Sequence, residues 1–279
     1  MRMMCDWDSL LAVLPAKLRS CIKECGKDKL VELRLRRGRK IEYNCYDGYF
    51  YGDHIVGRED IHYIVNAASR YSPWQAATMA RGYLPVAGGH RIGISGEVIY
   101  SAGAMKGIRD PDSLCIRIAR DLPGIAAPFG GVRGSVLILG APGWGKTTML
   151  RDLARQMAAK ETTVVLDERG ELFPEGYIRG KRMDVLRFCP KREGIELAVR
   201  TLNPQTIALD EITEEADCRT ILKAVHCGVR FLATIHAASL EELRNRRTCR
   251  LLTENEVFPN VLLLHQDKTC TLERMITCR

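Results

Sequence analysis

The stretch Gly140-Ala141-Pro142-Gly143-Trp144-Gly145-Lys146-Thr147-Thr148 constrains this chain more than any other. Gly140 to Thr147 fits the pattern GxxxxGK[ST] in full. Glycines in such a loop let the backbone turn around an anion, so that successive N–H groups point inward at oxygens. Lys146 is placed to reach the β- and γ-phosphates of a nucleotide, and the Thr147 hydroxyl to ligate Mg²⁺. The context agrees. Ser135–Leu139 reads as an apolar strand, and the segment from Lys146 to Ala159 as a helix whose positive N-terminal end faces the anion. ATP and Mg²⁺ are therefore the expected cofactors, held by Gly140 to Thr148.

From residue 135 onward, short apolar runs alternate with amphipathic stretches, which points to an α/β unit with a parallel sheet. Strands are expected at Ser135–Leu139, Thr162–Asp167, Asp184–Phe188, Thr206–Asp210 and Arg230–Ile235, with shorter ones near Val261–Leu264 and Thr271–Ile276. Helices are expected at Lys146–Ala159, Glu193–Leu202, Glu214–His226 and Leu240–Arg247. Residues 1–120 read as a smaller α+β domain, with one amphipathic helix at Asp8–Glu24. A hairpin follows from Leu30–Arg36 and Ile41–Cys45, then one or two helices over Asp60–Ala80 interrupted at Pro73. Strands at Tyr83–Val86, Arg91–Tyr100 and Leu114–Ala119 complete it. Two prolines and four glycines in Asp121–Gly134 mark a linker, leaving 135–279 as the second domain.

Several strand ends carry chemistry. Thr206–Leu209 is an apolar run ending in Asp210-Glu211, where Asp210 suits the metal and Glu211 the polarisation of an attacking water. Val164–Leu166 ends in Asp167-Glu168, followed by Glu171. The carboxyl ends of parallel strands gather on the ligand side, so all three acids are expected to face the nucleotide, with Glu168 a second candidate base. Phe231–Ile235 presents Thr234 and His236, and His236 is placed to sense the γ-phosphate.

Composition narrows the rest. No apolar run approaches the roughly 20 residues needed to cross a bilayer, and the N-terminus lacks a signal-peptide core. A cytoplasmic location is expected, with any membrane association through partners. The eleven cysteines are scattered without CxxC or zinc-finger spacing, which favours thiols used as small apolar residues. Net charge is +8, and residues 1–120 hold +6 of it, with 19 Lys and Arg against 13 Asp and Glu. Such an excess suits nucleic acid, an anionic surface or a neighbouring subunit's phosphates.

Taken in order, the phosphate loop, LDERGEL at 166–172, the LDE strand end and ATIHA at 233–237 resemble the secretion-ATPase superfamily, the RecA-like motors of type II and type IV secretion and pilus assembly. Gly88-Gly89-His90-Arg91-Ile92-Gly93-Ile94-Ser95-Gly96-Glu97 and Ile116-Arg117-Ile118-Ala119-Arg120 make it similar, within that group, to the stage III sporulation AA family. The resemblance implies a RecA-like P-loop NTPase core with a smaller N-terminal α+β domain. It further implies a homo-oligomer, a hexamer by analogy, hydrolysing ATP to power a channel between mother cell and forespore through membrane-embedded partners. Arg91 and Arg117, with Arg81 and Arg120 as second choices, would complete the nucleotide site as in that family. The alternative is a nucleic-acid-translocating ATPase, with Tyr63, Tyr71, Trp74 and Tyr83 interspersed among the basic residues. Those aromatics lie in an apolar helical pattern and are expected in the core.

Overall fold

The computed structural model describes residues 4–69, 82–101 and 103–275. The chain divides into two compact units. Of the described residues, one unit comprises those from 4 to 121 together with 174–177, and the other those from 122 to 173 and from 178 to 275.

The N-terminal unit is built on a six-stranded antiparallel sheet of β1 (Leu30–Arg36), β2 (Lys40–Cys45), β3 (Gly48–Ile55), β4 (Tyr83–Pro85), β5 (Arg91–Ser101) and β6 (Ala104–Arg117), in the order β3-β2-β1-β6-β5-β4. Alternation along the strands sends Leu33, Leu35, Ile41, Tyr43, Ile92, Leu114 and Ile116 into one core with the helices. The helices are α1 (Trp7–Ala12), α2 (Ala16–Cys25) and α3 (Arg58–Ser69). In α3, Ile61, Ile64, Val65 and Ala68 form the buried stripe that a 3.6-residue period requires.

Four sequence expectations change here. The single helix over Asp8–Glu24 is two helices, because Pro15 has no N–H and its ring clashes with the preceding turn; it becomes the N-cap of α2. The break still leaves Leu10, Leu14, Leu18 and Ile22 fully buried. Strand β3 was not expected. It is an edge strand whose Tyr49, Phe50 and Tyr51 are all exposed, so burial imposes no alternation on it. Strand β6 begins at Ala104, ten residues before the expected start at Leu114, because the outer half of the β5–β6 hairpin buries little. Beyond Ser69, the helical pattern expected to Ala80 lies outside the described residues, as do Tyr71, Trp74 and Arg81. Tyr63 is exposed on α3 rather than in the core, whereas Tyr83 is buried.

The second unit holds a seven-stranded sheet in the order β13-β12-β7-β11-β10-β8-β9. Its strands are β7 (Val136–Leu139), β8 (Thr163–Asp167), β9 (Met183–Arg187), β10 (Thr206–Leu209), β11 (Arg230–Ile235), β12 (Asn260–Leu264) and β13 (Cys270–Arg274). All neighbours are parallel except the β12–β13 pair. Strands β7, β8 and β10 are buried at every residue, which explains why they read as continuous apolar runs. The helices are α4 (Lys146–Ala158), α5 (Lys191–Thr201), α6 (Glu215–His226), α7 (Leu240–Asn245) and a short, unexpected α8 (Arg250–Glu254). Residues of the Pro/Gly-rich stretch pack within this unit: Ala126 is fully buried, and the Asp152 carboxylate accepts the Gly124 and Ala126 N–H groups at 3.0 and 2.8 Å.

One buried group couples the N-terminal unit to pH. His90 donates from Nε2 to the Asp6 carbonyl at 2.8 Å and accepts the Ala119 N–H at Nδ1, 3.1 Å away. Burial pushes its pKa below the ordinary 6.5, opposed in part by the bond to Asp6. The unfolded chain therefore takes up this proton first as pH falls. The stabilisation is complete above about pH 6.5 and is lost as pH drops through that value toward the folded one. Urea unfolding at pH 7.5 and 5.5 is expected to show a smaller loss of stability on acidification in His90→Asn than in the unsubstituted chain; equal losses would remove His90 as the cause.

Candidate functional site

The site forms along the carboxyl ends of β7, β11 and β10, which lie side by side in parallel register. After Leu139 the chain turns through Gly140 to Gly145. Gly143 and Gly145 adopt φ of 77° and 100°, a left-handed region that a side chain would strain. Gly145 caps α4, so the helix starts at Lys146 with its unpaired N–H groups directed at the loop. Thr148 lies in that first turn, Pro142 is exposed, and the Ala141 carbonyl accepts the Trp144 N–H at 3.3 Å.

Lys146 is 6% exposed, and its ammonium donates to the carbonyls of Gly140 (2.8 Å) and Ala141 (3.0 Å) and to His236 Nδ1 (2.8 Å). An ammonium can only donate, so Nδ1 is the acceptor and the imidazole proton resides on Nε2. Nε2 lies 3.1 Å from Glu211 Oε1. A chain Lys146–His236–Glu211 results, with the Arg169 guanidinium 3.9 Å from the same carboxylate. Burial lowers the Lys146 pKa, and the charges of Asp210 and Glu211 oppose that shift.

Beside this chain, Thr147 Oγ1 donates to Asp210 Oδ2 at 3.0 Å, and Thr234 Oγ1 donates to Asp210 Oδ1 at 2.5 Å. A hydroxyl and a carboxylate in contact are the hard oxygen donors that Mg²⁺ prefers. Among the described residues no group of three or more His, Cys, Asp or Glu could hold a metal. A divalent ion at Thr147 and Asp210 would thus take its other ligands from water and phosphate, the usual coordination of Mg²⁺ beside a nucleotide.

The acids after β8 do different work from that expected. Asp167 is 2% exposed, and its carboxylate accepts the N–H groups of Glu171 (2.8 Å), Leu172 (3.0 Å) and Phe173 (3.0 Å). It ties down the loop that follows rather than facing a nucleotide. Arg151, buried on α4, holds the same loop through the carbonyls of Leu172 and Glu171. Glu168 pairs with Lys191 at 3.0 Å, so Glu211 and not Glu168 joins the Lys146 chain. Sequence reading missed Lys268, in the β12–β13 turn, which donates to the Gly143 carbonyl at 2.6 Å. It also gave no role to Arg169. Neither carries a pattern of its own; each is defined by what the fold sets beside it.

In the N-terminal unit, Arg91 and Arg117 are directly paired across β5 and β6, so both project from one face of the sheet. The Arg91 guanidinium stacks over the Tyr83 ring at 3.7 Å, and Arg117 lies 3.7 Å from Glu32. Arg120 is committed elsewhere, donating to the carbonyls of Lys27 and Leu30 at 3.0 and 2.5 Å.

Replacing Asp167 by Asn turns one acceptor oxygen into a donor that faces the Phe173 N–H. Asp167→Asn is expected to cost about 1–3 kcal/mol of stability in urea titration, the penalty of an unsatisfied buried donor. Unchanged stability would show that the three hydrogen bonds do not hold the loop.

The chain is 33% identical over 283 residues to the stage III sporulation protein AA of Bacillus subtilis (strain 168), covering 94% of this chain and 92% of that protein. Among solved structures it resembles the Legionella pneumophila ATPase DotB, with a TM-score of 0.60 and 14% identity over 94% of this chain and 80% of that one. It likewise resembles the pilus retraction motor PilT, solved with bound ADP, with a TM-score of 0.62 and 12% identity over 91% and 80% of the two chains. At such identities the structural likeness shows the fold alone: an α/β architecture with an N-terminal antiparallel-sheet unit and a mostly parallel sheet, as in these two structures. Residues 6–276 match the family described as sporulation stage III, protein AA, and the chain belongs to that family.

Proposed function

We propose that this chain is a Mg²⁺-dependent ATPase of the secretion-motor type, acting as a homo-oligomer, a hexamer by analogy, during endospore formation. The observation that carries the reading is the Lys146–His236–Glu211 chain set beside the Thr147–Asp210 contact. The loop backbone and the α4 N-terminus would bind the triphosphate, and Thr147 and Asp210 would hold the metal, which neutralises phosphate charge when bound. To reach a phosphate, Lys146 has to release a protein acceptor. His236 is the acceptor with a second partner, since Nε2 remains on Glu211. Breaking the Lys146–His236 bond would free Nδ1 while Nε2 stays on Glu211, and the His236–Glu211 pair would then orient the attacking water, its proton passing to the Glu211 carboxylate. Nucleotide arrival would thus arm the base.

Arg91 and Arg117 would add positive charge at the γ-phosphate of another copy, a role that suits two arginines projecting together from one sheet face. The work done would be the powering of a mother cell–forespore channel through membrane-embedded partners. Among the described residues no helix is long and apolar enough to cross a membrane, so attachment through such partners fits.

ATP turnover by the full chain under oligomer-forming conditions tests the reading. Glu211→Gln is expected to bind ATP yet turn it over at least about 10²-fold more slowly, the lower bound for losing a general base. Lys146→Ala is expected to lose both binding and turnover. Equal turnover in all three proteins would end the proposal, and stimulation by single-stranded nucleic acid that salt abolishes would favour a nucleic-acid motor instead.

A further inference from the structure

We infer that Thr234 is a positioning residue that locks the metal-side acid Asp210 and the base Glu211 into one arrangement through a single buried hydroxyl. The inference rests on the ATPase reading above. Thr234 lies on β11 and is fully buried. Leu209 of β10 is in register with Ala233, so Asp210 and Thr234 come next, side by side at the strand ends. Their side chains meet: the hydroxyl donates to Asp210 Oδ1 at 2.5 Å and accepts the Glu211 N–H at 2.8 Å.

The direction of both bonds is forced. A carboxylate offers only acceptors and a backbone N–H only a donor, so the hydroxyl proton has to point at Asp210 and a lone pair at Glu211. The Thr234 carbonyl then accepts the Ile212 N–H at 2.9 Å. Two consecutive N–H groups after β10 thus converge on one residue of β11. An extended strand directs successive N–H groups to opposite sides, so the chain has to leave the strand conformation to achieve this. It does so at Glu211, whose φ is +49°, an uncommon value for a residue with a long side chain. The Glu211 carboxylate lies beside His236, which stands just past the end of β11, two residues beyond Thr234. One hydroxyl therefore links the residue proposed to hold the metal with the residue proposed to act as base, whose carboxylate in turn meets the histidine between base and Lys146.

The decisive comparison is Thr234→Val, which keeps the shape and removes both hydrogen bonds, against Thr234→Ser, which keeps the hydroxyl. In the full chain, T234V is expected to lower kcat about 10²-fold, the scale of a misplaced catalytic group, while KM for ATP and the affinity for a fluorescent ADP analogue stay within about threefold. T234S is expected to recover kcat to within a fewfold of the unsubstituted chain. In a Glu211→Gln background T234V is expected to add little to the loss, because both changes act on the same step. Hydrogen–deuterium exchange supplies a readout independent of turnover: peptides spanning 207–212 are expected to exchange faster in T234V and normally in T234S. Should T234V not fold, Thr234→Ala removes the same hydroxyl and is read the same way.

If T234V keeps its kcat while Lys146→Ala is inactive, this inference fails and the ATPase reading stands. If T234S is as impaired as T234V, packing rather than the hydroxyl is responsible, and the inference fails. If the unsubstituted chain shows no turnover above Lys146→Ala, the ATPase reading fails and takes this inference with it.

Discussion

The parallel register of β7, β11 and β10 is the constraint on which the candidate site depends. It sets Leu139, Ile235 and Leu209, the last residues of three strands, at one edge of the sheet. Asp210, Glu211 and His236 follow directly on these strand ends, Thr234 is the last residue but one of β11, and Lys146 opens the helix after the phosphate loop. The register itself is held by burial. β7 and β10 are covered on both faces, so a one-residue slip would exchange the inward sets of side chains and misalign the polar strand ends.

Charge at this edge is balanced locally. Lys146 is buried, and its desolvation is offset by two carbonyls, by His236 and by the nearby Asp210 and Glu211. The Asp210 carboxylate in turn accepts two hydroxyls, which leaves its negative charge available to a metal. The acidic stretch after β8 divides its labour: Asp167 builds the loop, Glu168 pairs with Lys191, and Arg169 approaches Glu211. A run of acids that looks uniform along the chain is thus partitioned by where each backbone segment goes.

The N-terminal unit follows a different logic. Its sheet is covered by helices on the face that carries Leu33, Ile41 and Ile116, and its other face carries charged side chains, among them Glu32, Arg91 and Arg117. Tyr83 beneath Arg91 and Glu32 beside Arg117 limit where those guanidinium groups can point, which favours a fixed presentation over two mobile side chains.

By itself the sequence determined the phosphate loop, the strand–helix alternation around it and the acids and histidine at the strand ends. Glycine at positive φ, a lysine opening a helix and apolar runs of strand length are all local properties of a segment. It also carried the division of labour between an antiparallel and a parallel region. Only the tertiary structure decided that Asp167 is a loop tie, that Glu211 rather than Glu168 joins Lys146, that β3 extends the N-terminal sheet, that Lys268 belongs to the site and that the Thr234 hydroxyl joins Asp210 to Glu211. Each of these depends on partners far away in the chain: Thr234 is 24 residues from Asp210, and Lys268 is 125 from Gly143. A hydroxyl or an ammonium acquires its role from the donor or acceptor placed opposite it, and that placement exists only once the strands have paired.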